Sequence, residues 1–316
     1  FGRAQAALSR GDVDDAYQRF AELADSPGLG DEQLRQVRLS RALAAERKGD
    51  LEDALRLLAE LADEARRTPA VHPWMDVAEA LCRCSREAGD LDLAIATGEE
   101  AMRHASELGL EATDEYVRLG CTVLAAYQER GDLARATLLA VNMVRIADAM
   151  GAPQTRGAAY WNASLVAESR GEIGQALVLV DRAVAMFGES DDRRNLARLR
   201  VTYAWLLLQQ SPPEAERALE LLDGTRSSLV EHSGAVDVSS CDTERARALL
   251  ALGRVTEARR AAEQSLAGLG DLPRIESANA RLWLGRGLRQ QGDLAGWIAQ
   301  CTSAGAMLES MGATRQ

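Results

Sequence analysis

Histidine, proline, cysteine and aromatic residues are scarce in this 316-residue chain, which has three, seven and five of the first three and only 4% of the last. His72, His104 and His232 lie far apart, and no HExxH, GxSxG, Walker loop or dinucleotide fingerprint occurs. The usual frameworks for nucleophilic, metal-assisted and hydride chemistry are therefore missing. No enzyme activity, cofactor or metal is expected. The cysteines Cys82, Cys84, Cys121, Cys241 and Cys301 form no CxxC pair. Buried reduced thiols are the reading favoured by composition, with a redox or zinc site as the alternative. No apolar run reaches the roughly 18 residues needed to span a bilayer, and no secretory leader is recognisable, so a cytoplasmic setting is expected, with no membrane partner. Basic residues are outnumbered, 37 against 48 acidic, for a formal net charge of −11. An acidic chain repels phosphate, so this segment by itself is not expected to hold nucleic acid. The carboxylates fall at helical spacing and read as solvated faces, Glu99-Glu100 and Asp191-Asp192 included.

One mark recurs throughout. A Gly followed by a polar residue, with Ala five positions after the Gly, stands at Gly11-Asp12, Gly49-Asp50, Gly89-Asp90, Gly131-Asp132, Gly171-Glu172 and Gly253-Arg254. Gly292-Asp293 repeats it with Trp297 in the Ala place, and Pro213 with Ala218 fills the slot near residue 212. The steps are 38, 40, 42, 40, 42, 40 and 39 residues. A period of this size between long apolar segments means stacked helical hairpins. Gly reaches the left-handed conformation that ends many helices, and Asp after it caps the next helix. The Ala sits where two helices approach. In the odd turn, Ser211 is read as an N-cap and Pro212 as the first helical position. Second helices are expected to end near Gly109, Gly151, Gly188, Gly270 and Gly312, with Pro27, Pro69, Pro153 and Pro273 in the joints. Strand signals are almost absent, and Ala54, Leu57, Leu58 and Leu61 show the apolar spacing of a helix. The expectation is sixteen helices of roughly 10 to 18 residues in eight pairs. Phe1 opens in mid-helix and Gln316 follows a joint, so flanking segments are expected beyond both ends.

The hairpin with Gly-Asp at its turn, Ala five residues on, and a small residue seven before the Gly resembles the tetratricopeptide repeat (TPR). Ala4, Ala42, Cys82, Ser164, Ala246 and Gly285 are those small residues, while Leu124 and Leu206 depart from the pattern. The stretches from Glu79 to Cys84, Gly157 to Glu168 and Arg194 to Arg200 resemble actinobacterial regulators with an N-terminal helix-turn-helix of the XRE type followed by a TPR array. The resemblance implies an all-α fold, an α-solenoid of about eight TPR-like hairpins in a right-handed superhelix covering residues 1–316. It also implies a receptor of the RRNPP kind, whose groove binds a short signalling peptide. Homodimerisation is implied, and contact with DNA only through a helix-turn-helix domain outside this chain. A TPR scaffold or adaptor binding a protein segment, and the sensor array of a large ATPase regulator, are the other readings.

In TPRs the first helix of each pair lines the concave face. Counting back from the turns places Glu79, Arg83, Arg86, Arg118, Gln128, Trp161, Asn162 and Glu168 on that face in the middle repeats. Arg200, Tyr203, Gln210, Glu244, Arg247, Asn279 and Arg286 follow in the later ones. Asn162 stands where many TPR grooves use Asn on a peptide backbone, because one carboxamide offers both a donor and an acceptor. Asn142 is in a second helix and outside the groove. Five of thirteen aromatics (Tyr160, Trp161, Phe187, Tyr203 and Trp205) cluster within residues 160–205. They read either as ligand anchors or as packing between hairpins. The arginines read as solvated charges or as a row that clamps carboxylates.

Overall fold

The computed structural model describes residues 1–10, 12–67, 71–270 and 275–310. The described residues form sixteen α-helices and no strand. They divide into two compact units, Phe1–Arg170 and Gly171–Gln316. The first holds α1 (Gly2–Arg10), α2 (Val13–Ala24), α3 (Asp31–Lys48), α4 (Leu51–Arg66), α5 (Val71–Glu87), α6 (Leu91–Glu107), α7 (Asp114–Arg130), α8 (Leu133–Met150) and α9 (Pro153–Ser169). The second holds α10 (Ile173–Gly188), α11 (Arg193–Leu207), α12 (Ala215–His232), α13 (Ala235–Ala251), α14 (Val255–Leu269), α15 (Ile275–Gln290) and α16 (Leu294–Ser310). Within each unit, consecutive helices pack antiparallel and alternate helices also touch: α5 on α7, α7 on α9, and α13 on α15. This is the α-solenoid arrangement of TPR-like hairpins.

The turns work as their glycines require. Gly49, Gly89, Gly131, Gly171, Gly253 and Gly292 have φ of +86°, +83°, +84°, +78°, +72° and +84°. The amide after the Gly then reaches back five residues: Asp50 N donates to Ala45 O at 3.0 Å, and Asp132 N donates to Tyr127 O at 2.9 Å. These are the paired closing bonds of a Schellman end, and they satisfy carbonyls that the helix leaves open. The same aspartates face forward. Asp50, Asp90 and Asp132 accept from Asp53 N, Leu93 N and Arg135 N at 3.2, 3.0 and 3.3 Å. One residue pair thus closes one helix and opens the next. Ala54, Ala94, Ala136, Ala176 and Ala218, five after the turn position, are fully buried. Gly11, Pro69, Pro273 and Gly312 lie outside the described residues.

One expectation about punctuation needs correction. α10 does end at Gly188 as expected, with Glu189 as its C-cap. In the odd turn, α12 begins at Ala215 with Glu214 as N-cap, so Ser211 and Pro212, joined by a cis peptide bond, lie before it. There the returning amide is Glu214 N, which donates to Leu207 O at 3.1 Å. In the other turns that acceptor lies four residues before the Gly and the donor one after it. Leu207 therefore fixes the equivalent of the Gly at residue 211, and the turn carries two extra residues. The α11 register moves by two, and the small position becomes Ala204, fully buried. The departure at Leu206 disappears.

Size complementarity replaces the small-residue rule where it fails. The Trp297 ring fills the Ala place on α16, and a Cβ on Gly285 would lie 3.2 Å from its Cδ1. Gly98 on α6 is tighter still: a Cβ there would meet Val123 Cγ2 at 2.1 Å. Val is stiff at χ1, so the neighbour cannot swing clear. Gly98→Ala is expected to lower stability by about 1–3 kcal/mol through overpacking. Gly224→Ala, where nothing lies within 4 Å, should raise it by roughly 0.5–1 kcal/mol. Urea denaturation measures both, and an unchanged midpoint for Gly98→Ala contradicts the close approach. Gly131→Val forces a β-branched residue to positive φ and should cost about 1–3 kcal/mol by the same measurement.

Candidate functional site

The face shared by α3, α5, α7 and α9 carries the polar residues three before each turn Gly (Glu46, Arg86, Gln128 and Glu168), together with Arg83 six before Gly89. Arg83 on α5 donates through Nε and Nη2 to the two carboxylate oxygens of Glu46 on α3, at 2.5 and 2.8 Å. Its Nη1 donates to Glu79 at 2.7 Å, and Thr122 on α7 donates to the same carboxylate oxygen at 3.3 Å. Arg118 reaches Asp76 at 2.5 Å, and Arg86 faces Glu129 at 3.5 Å. Gln128 Nε2 on α7 donates to Leu165 O and Ser169 Oγ of α9 at 3.2 and 2.8 Å. Glu79, Arg83, Arg86, Arg118 and Gln128 therefore do lie on one face, but as rungs between neighbouring first helices. The bidentate Arg83–Glu46 pair is the best formed of these, since both side chains are mostly covered.

Asn162 and Trp161 are half-buried on α9. The Asn162 Nδ2 donates to Ala158 O of its own helix at 2.9 Å. One of the two N–H donors of its carboxamide is thus committed, and the other N–H and Oδ1 are left to meet a peptide unit. Glu168 is half-buried three residues before Gly171. Tyr160 is buried, its hydroxyl donating to Asp148 at 2.9 Å, and Phe187 is buried as well, so both serve packing.

In the second unit the shifted register of α11 alters the reading. Tyr203 turns toward the second helices: its hydroxyl donates to Asp181 on α10 at 3.3 Å and accepts from Arg217 on α12 at 2.8 Å. Gln210 closes the turn locally onto Glu214 at 2.6 Å. Arg200 is half-buried. The positions equivalent to those of the other repeats are Arg198, Val201, Trp205 and Leu208, which counting from Pro213 missed. Arg198 accordingly reaches the next first helix, at Asp237 on α13, 3.1 Å away. Only the Leu207 acceptor reveals the two inserted residues.

Glu244 and Arg247 are partly covered on α13. Arg247 lies 3.5 Å from Glu244 and donates through Nη2 to Leu208 O at 3.1 Å. Burial pushes the Glu244 carboxyl up to about 7 in spite of Arg247. Asn279 and Arg286 are exposed on α15. Arg247, Arg286 and Arg289 surround a cleft of about 720 Å³ with Trp283 in its wall. A second cleft, of about 420 Å³, opens on α6, α7 and α8 and includes Asn142 with Tyr127, Arg135 and Leu138. Asn142 thus lines a concavity other than the first-helix face.

The thiols of Cys82, Cys84, Cys121 and Cys241 are buried, and burial pushes each up to about 12. Such thiols stay protonated and unreactive. Among the described residues no group of three or more His, Cys, Asp or Glu is placed to hold a metal. None of the described helices is long and apolar enough to cross a membrane.

No family model and no curated protein matches the chain. Solved structures do. A Rap protein complexed with competence and sporulation factor is 11% identical with a TM-score of 0.72, over 99% of this chain and 85% of that one. NprR in complex with its cognate peptide NprX is 12% identical with a TM-score of 0.62, over 96% and 86%. A signal transduction ATPase with a tetratricopeptide repeat sensor from Pyrococcus horikoshii gives 12% and 0.62, over 96% of this chain and 46% of that chain. At such identities the likeness establishes the TPR fold.

Glu244 makes stability depend on pH. Its folded pKa lies above the 4.5 of a free carboxyl, so the native state holds the proton more tightly, and stability falls as pH rises from about 4.5 to about 7. Glu244→Gln should remove that loss. Its stability relative to the parent should grow by on the order of 1–3 kcal/mol between pH 5 and pH 8. Urea denaturation at the two pH values measures it, and an equal difference at both contradicts the assignment.

Proposed function

We propose that this chain is the sensory TPR domain of a cytosolic transcriptional regulator, binding a short peptide in extended form along the first-helix face. The observation that carries the reading is the wall of partly covered polar groups on α3, α5, α7 and α9. Glu79 and Arg83 sit on α5, Gln128 on α7, and Asn162 and Glu168 on α9. Such a wall meets a peptide backbone with donors and acceptors while neighbouring pockets select side chains. Each neutral bond contributes about 1 kcal/mol net, so several are needed to hold a flexible peptide. The structure of NprR in complex with its cognate peptide NprX, and that of a Rap protein complexed with competence and sporulation factor, support the reading by likeness of fold.

In this reading the chain works as a homodimer in a quorum-sensing type of circuit, and a helix-turn-helix domain preceding Phe1 carries DNA binding. Occupancy of the face changes the fit between neighbouring hairpins, because the rungs that cross them are the groups a peptide would compete for. The alternative is a TPR adaptor that holds a protein segment and has no DNA-binding head. The reading frame upstream of Phe1 separates the two: a basic helix-turn-helix belongs to the first and not the second.

Selection of a random hexapeptide library on the immobilised protein, followed by calorimetry with the enriched peptide, tests the groove. Asn162→Ala should weaken that peptide by about fivefold to tenfold, the worth of one partly buried bond, with the thermal midpoint within a degree or two of the parent. Unchanged affinity would remove Asn162 from the ligand face.

A further inference from the structure

The cleft of about 720 Å³ in the second unit inverts the charge of the molecule. The chain as a whole is formally −11. The cleft is lined by Leu208, Pro213, Leu250 and Ala251, by Trp283 and Gln290, and by the three guanidinium groups of Arg247, Arg286 and Arg289, with no carboxylate in its wall. A protein with 48 acidic residues can neutralise a surface arginine almost anywhere, and most of its arginines are paired with Asp or Glu. Here the pairing stops. Glu244, on the same helix as Arg247, faces it at 3.5 Å. Among the described residues Arg286 and Arg289 have no carboxylate within ion-pair distance.

These two are held by indole rings instead. The Arg286 guanidinium lies 4.2 Å from the Trp283 ring centroid, with Arg247 at 5.4 Å from the same ring. Arg289 lies 4.8 Å from the Trp297 centroid. A guanidinium over an indole is fixed in its plane while its N–H edge stays open, and that edge matches the two oxygens of a carboxylate. The ring also carries the apolar area that anchors a bound peptide. The spacing follows from the helix: Trp283, Arg286 and Arg289 step by three along one stripe of α15, and Arg247 faces them from α13.

We propose that this cleft is a carboxylate-binding subsite, in which Arg286 and Arg289 hold an acidic group of a peptide bound on the first helices of the second unit against Trp283. The inference rests on the peptide-binding reading above and deepens it by naming the ligand chemistry. The carboxylate is supplied either by the peptide's C-terminus or by an Asp or Glu side chain; the chemistry is shared and the sources are separable.

Four pools of fluorophore-labelled hexapeptides test it. Each has a fixed central Asp or Asn, a free or amidated C-terminus, and uncharged residues at the varied positions. Titration with the whole chain, followed by fluorescence anisotropy, should show the carboxylate-bearing pools binding about tenfold more tightly than the Asn-amide pool. The advantage should shrink between 50 and 300 mM NaCl, as exposed charges are screened. Whichever of the Asn-acid and Asp-amide pools carries the gain identifies the source. Arg286→Gln combined with Arg289→Gln should abolish the advantage, so that all four pools bind with equal affinity. Arg286→Glu, at an exposed position, provides a second variant and should turn the preference against carboxylates. Equal binding of all four pools, or a variant that keeps the preference, overturns this inference and leaves the peptide-binding reading standing. No binding by any pool overturns both.

Discussion

The structure depends on one backbone arrangement, the left-handed Gly that ends a first helix. At φ near +80° the chain doubles back, and the amide after the Gly bonds a carbonyl five residues earlier. That bond fixes the direction in which the second helix leaves. It also fixes the rotational register of the first helix, because the acceptor is always the same number of residues from the turn. Everything on the first-helix face inherits its placement from that acceptor. The residues three and six before the Gly are turned toward neighbouring first helices for this reason, and they find one another as Arg83 finds Glu46 and Gln128 finds Leu165 O.

The energetics of that face differ from those of the rest of the surface. Exposed pairs such as Arg19 with Asp15 contribute little, since water screens them and both side chains lose freedom. The pair between Arg83 and Glu46 is largely covered and doubly bonded, so removing Arg83 leaves the Glu46 carboxylate mostly shielded from water and without that partner. The rungs therefore couple the packing of adjacent hairpins to the state of the groove. A ligand that replaces one rung partner alters how two helices sit on each other. The Arg and Trp stripe of α15 is built differently: its cations rest on rings and keep their donors available.

How far the residues alone could be read depends on which quantity is local. The turns were legible because Gly, the polar residue after it and Ala at the fifth place report a local conformation and a local steric limit. Gly49, Gly89, Gly131, Gly171, Gly253 and Gly292 all adopt the expected conformation. On α5 and α7 the count from the turn reaches Arg83, Arg118 and Gln128, which pair with neighbouring first helices, since nothing interrupts the register there. Counting failed on α11. Pro213 marks the start of α12 but not the end of α11, and two residues intervene, so Tyr203 and Gln210 were assigned to a face they do not occupy. Asn162 lies on α9, and its bond to Ala158 O depends on a rotamer that sequence does not specify.

The sequence by itself determined the helices, their pairing and the small-residue contacts, because each follows from short-range sterics and from a period shared by all the repeats. Tertiary structure decided which polar groups became rungs and which kept their donors. It decided that Gly285 makes room for Trp297, and that Trp283 meets the guanidiniums of both Arg247 and Arg286. Those outcomes depend on distances between helices remote in the chain, and such distances are set by the packing of whole side chains against one another rather than by the identity of any one residue.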